Sequence, residues 1–241
     1  MRKWLIWNLI GVIFCVIGAV IIVKTLFQAG FNMENFSTAQ YVTNTCDVEE
    51  AFVSLSVKGD MEDVILVTSE DEKCHLTFRE EEKARHQVNV ENDTLIITVA
   101  DDRPWYEKIG FWAENPMVTI ALPKAEYGTI KIENNVGDVQ ITDVKSQNLY
   151  IKGNTGDVEL TGVIAGEEIK IDLNTGDVNF KECDGKAIYV ETVTGDVTGS
   201  FLSGKRFEVE TNTGDAEVPD SSEGGTCRVK TNTGDVKLEI K

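Results

Sequence analysis

The chain has 241 residues, 41% of them apolar, and 41 acids stand against 23 bases for a net charge of −18. A surface so acidic repels nucleic acid and anionic headgroups, which excludes a nucleic-acid-binding role. Five cysteines and two histidines show no Cys-x-x-Cys or His-rich spacing, which excludes a zinc site.

Trp4 to Val23 is a run of 20 residues without a charge, broken by Asn8 and softened by Gly11 and Gly18. As a helix it is about 30 Å long, the thickness of a bilayer's hydrocarbon. Arg2 and Lys3 precede it and Lys24 closes it. The basic end stays in the cytoplasm and the chain beyond Lys24 is sent outward. The rival is a cleaved signal peptide, whose apolar core runs about 7–15 residues and ends in small residues. Here the run is longer, and Phe27 stands three before the only plausible cut, after Ala29. Residues 1–24 are therefore expected to be a cytoplasmic stub and an uncleaved anchor, held in the membrane by residues 4–23. All 41 acids lie beyond it, facing only the 20 bases left after Arg2, Lys3 and Lys24.

Residues 25–45 are poor in charge and read as a spacer. Residues 46–129 carry short alternating strands at Ala51–Val57, Val64–Val67, His75–Phe78, Gln87–Val90, Leu95–Val99 and Met117–Leu122. Period-two alternation marks strands with one buried face, here the opening coils and cap of the domain that follows. The cluster 79–85, REEEKAR, reads as a solvated turn, and His75 and His86 as surface residues. Cys46 and Cys74 stand where an oxidising compartment permits a disulfide. The loop 101–116 holds Trp105, Tyr106, Phe111 and Trp112. These are either anchors for a partner or a membrane interface, or a plug over the first coil's open end.

From 130 to 241 the chain repeats. Gly-Asp-Val or a close variant recurs with Gly137, Gly156, Gly176, Gly195, Gly214 and Gly234 at its head, at intervals of 19 or 20 residues. A fixed period of this size marks a stacked repeat. Apolar residues stand seven and five before each Gly, as at Ile169 and Ile171, and two and four after it, as at Val178 and Phe180. Each repeat thus holds two short strands joined at a Thr-Gly-Asp corner, where Gly supplies backbone angles others reach only at a cost. A second corner is expected near Ala165-Gly166, Asp184-Gly185, Ser203-Gly204 and Gly224-Gly225. The expected fold is all-β, a parallel β-solenoid of about six rungs stacked at about 4.8 Å. A flat antiparallel meander is the competitor, but it needs no identical corners. Cys183 and Cys227 fall in apolar columns three rungs apart, about 14 Å, too far for a disulfide. No polar cap follows the last repeat. Lys237, Glu239 and Lys241 blunt its edge, and the distal end is either weakly protected or used for end-to-end self-association.

Stacking brings Asp138, Asp157, Asp177, Asp196, Asp215 and Asp235 into one column, where neighbours repel unless compensated. Either each accepts hydrogen bonds from turn N–H groups, or the column holds Ca²⁺, which takes carboxylate oxygens. Asn135, Asn154, Asn174, Asn212 and Asn232 form a second column, whose amides can bond along the axis.

The run VTIALPKAEYGTIKIENNVGDVQI (118–141), followed by NTGDVEL, NTGDVNF, TVTGDV, TNTGDAEV and TNTGDVKL, resembles the bacterial DUF4097 family of β-strand-repeat proteins. The resemblance covers about residues 46–241, departs at Val193, Gly199 and Ala216, and carries no catalytic motif. It implies an adhesin-like surface module on the outer side of a bacterial cytoplasmic membrane. Constant coil length leaves nothing to wall a cleft, so no enzyme and no cofactor are expected. The expected function is a membrane-anchored binding or scaffolding element whose partner is an unidentified protein or envelope ligand. The alternative is an envelope-sensing regulator acting through a membrane partner.

Overall fold

The structure, a computed structural model, describes residues 14–15, 17–21, 23–25, 27–28, 41–100 and 116–241. The chain divides into two compact units, Met1–Gln40 with Pro104–Glu114, and Tyr41–Arg103 with Asn115–Lys241. In the first, the described residues between Phe14 and Gln28 are helical. Among the described residues no helix is long and apolar enough to cross a membrane. Much of the expected span 4–23 lies outside those residues, as do the four aromatics of the 101–116 loop.

The second unit is all β. Its strands are β1 (Tyr41–Val48), β2 (Ser54–Lys58), β3 (Asp63–Thr68), β4 (Cys74–Glu81), β5 (Arg85–Glu91), β6 (Thr94–Ala100), β7 (Met117–Leu122), β8 (Glu126–Val136) and β9 (Val139–Thr142). They continue with β10 (Lys145–Thr155), β11 (Val158–Thr161), β12 (Ile164–Thr175), β13 (Val178–Thr194), β14 (Val197–Phe201), β15 (Lys205–Thr213), β16 (Ala216–Glu217), β17 (Gly225–Thr233) and β18 (Val236–Ile240). The end of the expected spacer is thus already strand.

The strands form two ladders. One runs β5–β6–β2–β8–β10–β12–β13–β17–β15. The other runs β1–β4–β7–β3–β9–β11–β13–β14–β18–β16, with β13 bending to serve both. Every pairing between coils is parallel and in register, so Ile132, Ile151, Ile171, Val190, Val229 and Val209 stand in one column. Among the named strands the antiparallel pairings are β1–β4, β4–β7 and β5–β6, all at one end of the stack. The core lies between the ladders. Ile169, Ile171, Val178 and Phe180 are each at most 1% exposed, and each buried side chain of this size contributes about 1.5–3 kcal/mol.

The order of coils departs from the sequence at both ends. The coil of β2 and β3 lies against β8 and β9, with the later β6 and β7 outside it. The final repeat, β17 and β18, is inserted between the β13–β14 coil and the β15–β16 coil. Cys227, Val229, Val236 and Leu238 fill an interior slot completely. In the outer coil Phe207, Val209 and Val218 pack only partly and Ala216 is exposed. Cys227 therefore stands beside Ile188, and its coil is two steps from that of Cys183 and not three. Burial pushes its thiol up to about 12. Lys237, Glu239 and Lys241 do not form the terminal edge; β15 and β16 do. Lys237 pairs instead with Glu217 at 2.9 Å and Lys241 with Glu182 at 2.7 Å.

Three smaller expectations change. In the earlier coils the second corner falls at Asp143, Gly162 and Glu182, all at φ near 60° (56°, 63° and 55°), the last two shortly before the expected Ala165-Gly166 and Asp184-Gly185, whereas near Ser203-Gly204 and at Gly224 (φ 96°) it falls as expected. The register of β10 and β12 shifts between Ser146 and Asn148 and between Ala165 and Glu168, so Ala165-Gly166 lies at a bulge inside β12. Gly199 leaves no hole, because the rings of Phe180 and Phe201 meet there, 5.2 Å apart. Cys46 and Cys74 are free thiols: Cys46 stands opposite Leu76, and Val48 opposite Cys74.

Candidate functional site

The six corner glycines align, and the aspartates behind them form a hydrogen-bonded ladder. Asp138 Oδ1 accepts the Asp157 N–H at 2.8 Å, Asp157 Oδ1 that of Asp177 at 2.8 Å, and Asp177 Oδ1 that of Asp196 at 2.8 Å. Asp196 Oδ1 then accepts from Asp235 at 2.7 Å, and Asp235 Oδ1 from Asp215 at 2.8 Å, following the swapped coil order. A seventh member, Asp63 at the start of β3, accepts the Asp138 N–H at 3.0 Å. Every carboxylate but that of Asp215, the last of the row, thus bonds a corner donor of the adjacent coil, which offsets the repulsion between neighbours; one oxygen of each of these six is committed this way. Among the described residues no group of three or more His, Cys, Asp or Glu is arranged to hold a metal ion. Thermal melts in millimolar calcium and in chelator are expected to coincide, whereas Asp177→Ala should cost about 0.5–1.5 kcal/mol by removing the acceptor of the exposed Asp196 N–H. A calcium-dependent melting point would show that the free oxygens bind metal.

Beside this column, Asn174 Nδ2 donates to Asn154 Oδ1 and Asn212 Nδ2 to Asn232 Oδ1, both at 2.5 Å. Asn135 reaches Asp60 instead. On the outer face of the first ladder, register places Lys131, Tyr150, Lys170, Tyr189 and Arg228 in one line. Cations and half-buried rings alternate along it at about 4.8 Å. A cleft of about 380 Å³ runs past Lys170, Tyr189 and Arg228. Arg228 is held by Glu208 at 2.5 Å. Such a face offers ring surfaces and charge-assisted donors to an extended ligand.

The cap contains a cluster that a reading of the histidines as surface residues misses. His86 is buried, and its ring lies parallel to Phe78 with centroids 4.7 Å apart. Its Nδ1 meets Glu80 Oε2 at 2.8 Å and its Nε2 meets Glu62 Oε1 at 3.3 Å. Glu80 also accepts the His86 N–H at 2.6 Å and the Asn44 amide at 2.7 Å. Glu62 accepts the N–H groups of Asp60 and Met61 at 3.0 and 2.9 Å. Burial pushes the imidazole's pKa down, but the bonds from Glu62 and Glu80 outweigh it and the net shift is upward. Burial likewise raises the Glu62 carboxyl, and the His86 and backbone bonds bring it below its ordinary value. The REEEKAR segment is accordingly part of β4, a turn and the start of β5, with Glu80 inside. His75 is clamped similarly on the surface by Asp47 at 2.7 Å and Asp71 at 3.0 Å. The Asp47 bond, then the Asp71 bond, raise its pKa.

Parallel two-ladder coils stacked in register define a class of β-repeat protein. The family model described as Toastrack DUF4097 matches residues 52–241, and the chain belongs to that family. Among solved structures it is similar to a candidate cell adhesion protein from Clostridium sporogenes, at 13% identity and a TM-score of 0.53, covering 84% of this chain and 100% of that one. It is also similar to a candidate adhesin from Bacteroides fragilis, at 18% identity and a TM-score of 0.51, covering 83% of this chain and 97% of that one. At these identities the likeness is one of fold. No curated protein matches the chain.

Proposed function

We propose that this protein is a non-catalytic, adhesin-like binding or scaffolding module. It is a rigid β-solenoid displayed outside the cytoplasmic membrane by an amino-terminal anchor at residues 4–23. The observation that carries the reading is the register itself. Coil after coil places like side chains in straight lines, including the Lys131–Tyr150–Lys170–Tyr189–Arg228 line on an open face. Repetition of this kind suits an extended ligand or a partner surface better than a small substrate, which needs an enclosed cleft. The names of the two solved relatives agree with this reading.

Photo-crosslinking in cells tests it. A crosslinker at Lys170 or Tyr189 is expected to capture an envelope component, and one within residues 4–23 is not. Capture only through 4–23 would favour a regulator working through a membrane partner and would overturn the proposal.

A further inference from the structure

The two ends of the stack are finished differently. One ends in the antiparallel strands β1 and β5, bonded among the described residues on one side only, by β4 and β6. At the other, β15 bonds β17 on one side, and among the described residues no strand lies on its other side. The neighbouring edge strand β16 is blunted, with only two residues and Pro219 just beyond it. Short edges and proline are ordinary protections against unwanted pairing. β15 has neither: it runs nine residues without proline or bulge. Its inward side presents half-buried Phe207 and Val209, where the apolar columns of the core come to an end.

We propose that this edge pairs with the same edge of a second copy, making a two-fold antiparallel dimer centred on Glu208. In that register Arg206 faces Glu210 of the second copy and Phe207 faces Val209, each contact occurring twice. Opposite charges and apolar pairs directly across an antiparallel ladder are favourable. Glu208 meets its own copy, but each is already neutralised by Arg228, at 2.9 Å from Nε and 2.5 Å from Nη2. Because a two-fold contact uses the same edge on both copies, association through β15 closes at two copies and does not continue into a fibre.

The test is the mass of the full chain by sedimentation velocity in mild detergent, from about 1 to about 100 µM. The wild type is expected to pass from one chain to two. Arg206→Glu, an exposed change that gives up the bond to Thr226 Oγ1 at 2.9 Å and whose melt confirms that the chain stays folded, weakens the dimer about tenfold by setting acid against acid twice. Arg206→Glu with Glu210→Arg restores it. A single-chain mass at every concentration overturns the proposal. So does a dimer indifferent to Arg206→Glu, which would place self-association elsewhere, or a double variant no tighter than the single one.

Discussion

Gly176→Ala is expected to destabilise the β unit by at least about 3 kcal/mol, a large part of the roughly 5–15 kcal/mol that holds a domain folded. Two causes add. Gly176 sits at φ +150°, a conformation L side chains rarely adopt. A methyl group built there also collides with the carbonyl oxygen of Gly156 in the adjacent coil. That obstacle is backbone, shared with the next coil, so it cannot swing aside. Gly195 stands in the same relation to Gly176, and an opened corner is felt along the row. Gly166→Ala is the control. Its methyl meets only the end of the flexible Gln147 side chain, and the cost should stay under about 1 kcal/mol. Urea unfolding reads the difference as a lower midpoint with an unchanged slope. Equal effects at the two positions would mean that the corners do not touch.

That contact was legible in the sequence, because a residue repeated once per coil at a corner is repeated for contact with its own copies. The parallel ladders and the column positions follow from the same period. What the period hides is the order of coils. Ile188 accepts Cys227 as readily as Phe207 on its open side, since both carry apolar residues at equivalent positions. Asp63 was hidden for another reason. Its corner reads Lys-Gly-Asp-Met-Glu-Asp-Val, and the residue that joins the carboxylate ladder is the Asp next to Val64, not the one after Gly59. His86 was missed because polar residues were assigned outward. Alternation could have found it: Cys74, Leu76, Phe78 and Glu80 share one face of β4, and His86, Val88 and Val90 one face of β5.

The second large effect is expected in the cap. Glu80→Ala should cost about 3–5 kcal/mol, since it leaves a buried imidazolium with one carboxylate and removes the acceptor of the His86 and Asn44 N–H groups. The same cluster sets the pH profile of the wild type. His86 has its pKa raised above the ordinary 6.5, so its contribution is complete below 6.5 and is lost as pH climbs through the raised value. Glu62 has its pKa lowered from 4.5, so its contribution is present above 4.5 and is lost as pH falls through the lowered value. Stability should therefore be greatest between about 4.5 and 6.5 and decline on the alkaline side. In Glu80→Ala the alkaline decline shrinks, because His86 then has one partner to release and not two. His75 adds a smaller fall in the same direction from its exposed position. Urea midpoints from pH 4 to pH 9 give both limbs. A wild-type midpoint flat above 6.5 would mean that His86 is uncharged in the folded protein, and the two carboxylates around it would then need another source of compensation.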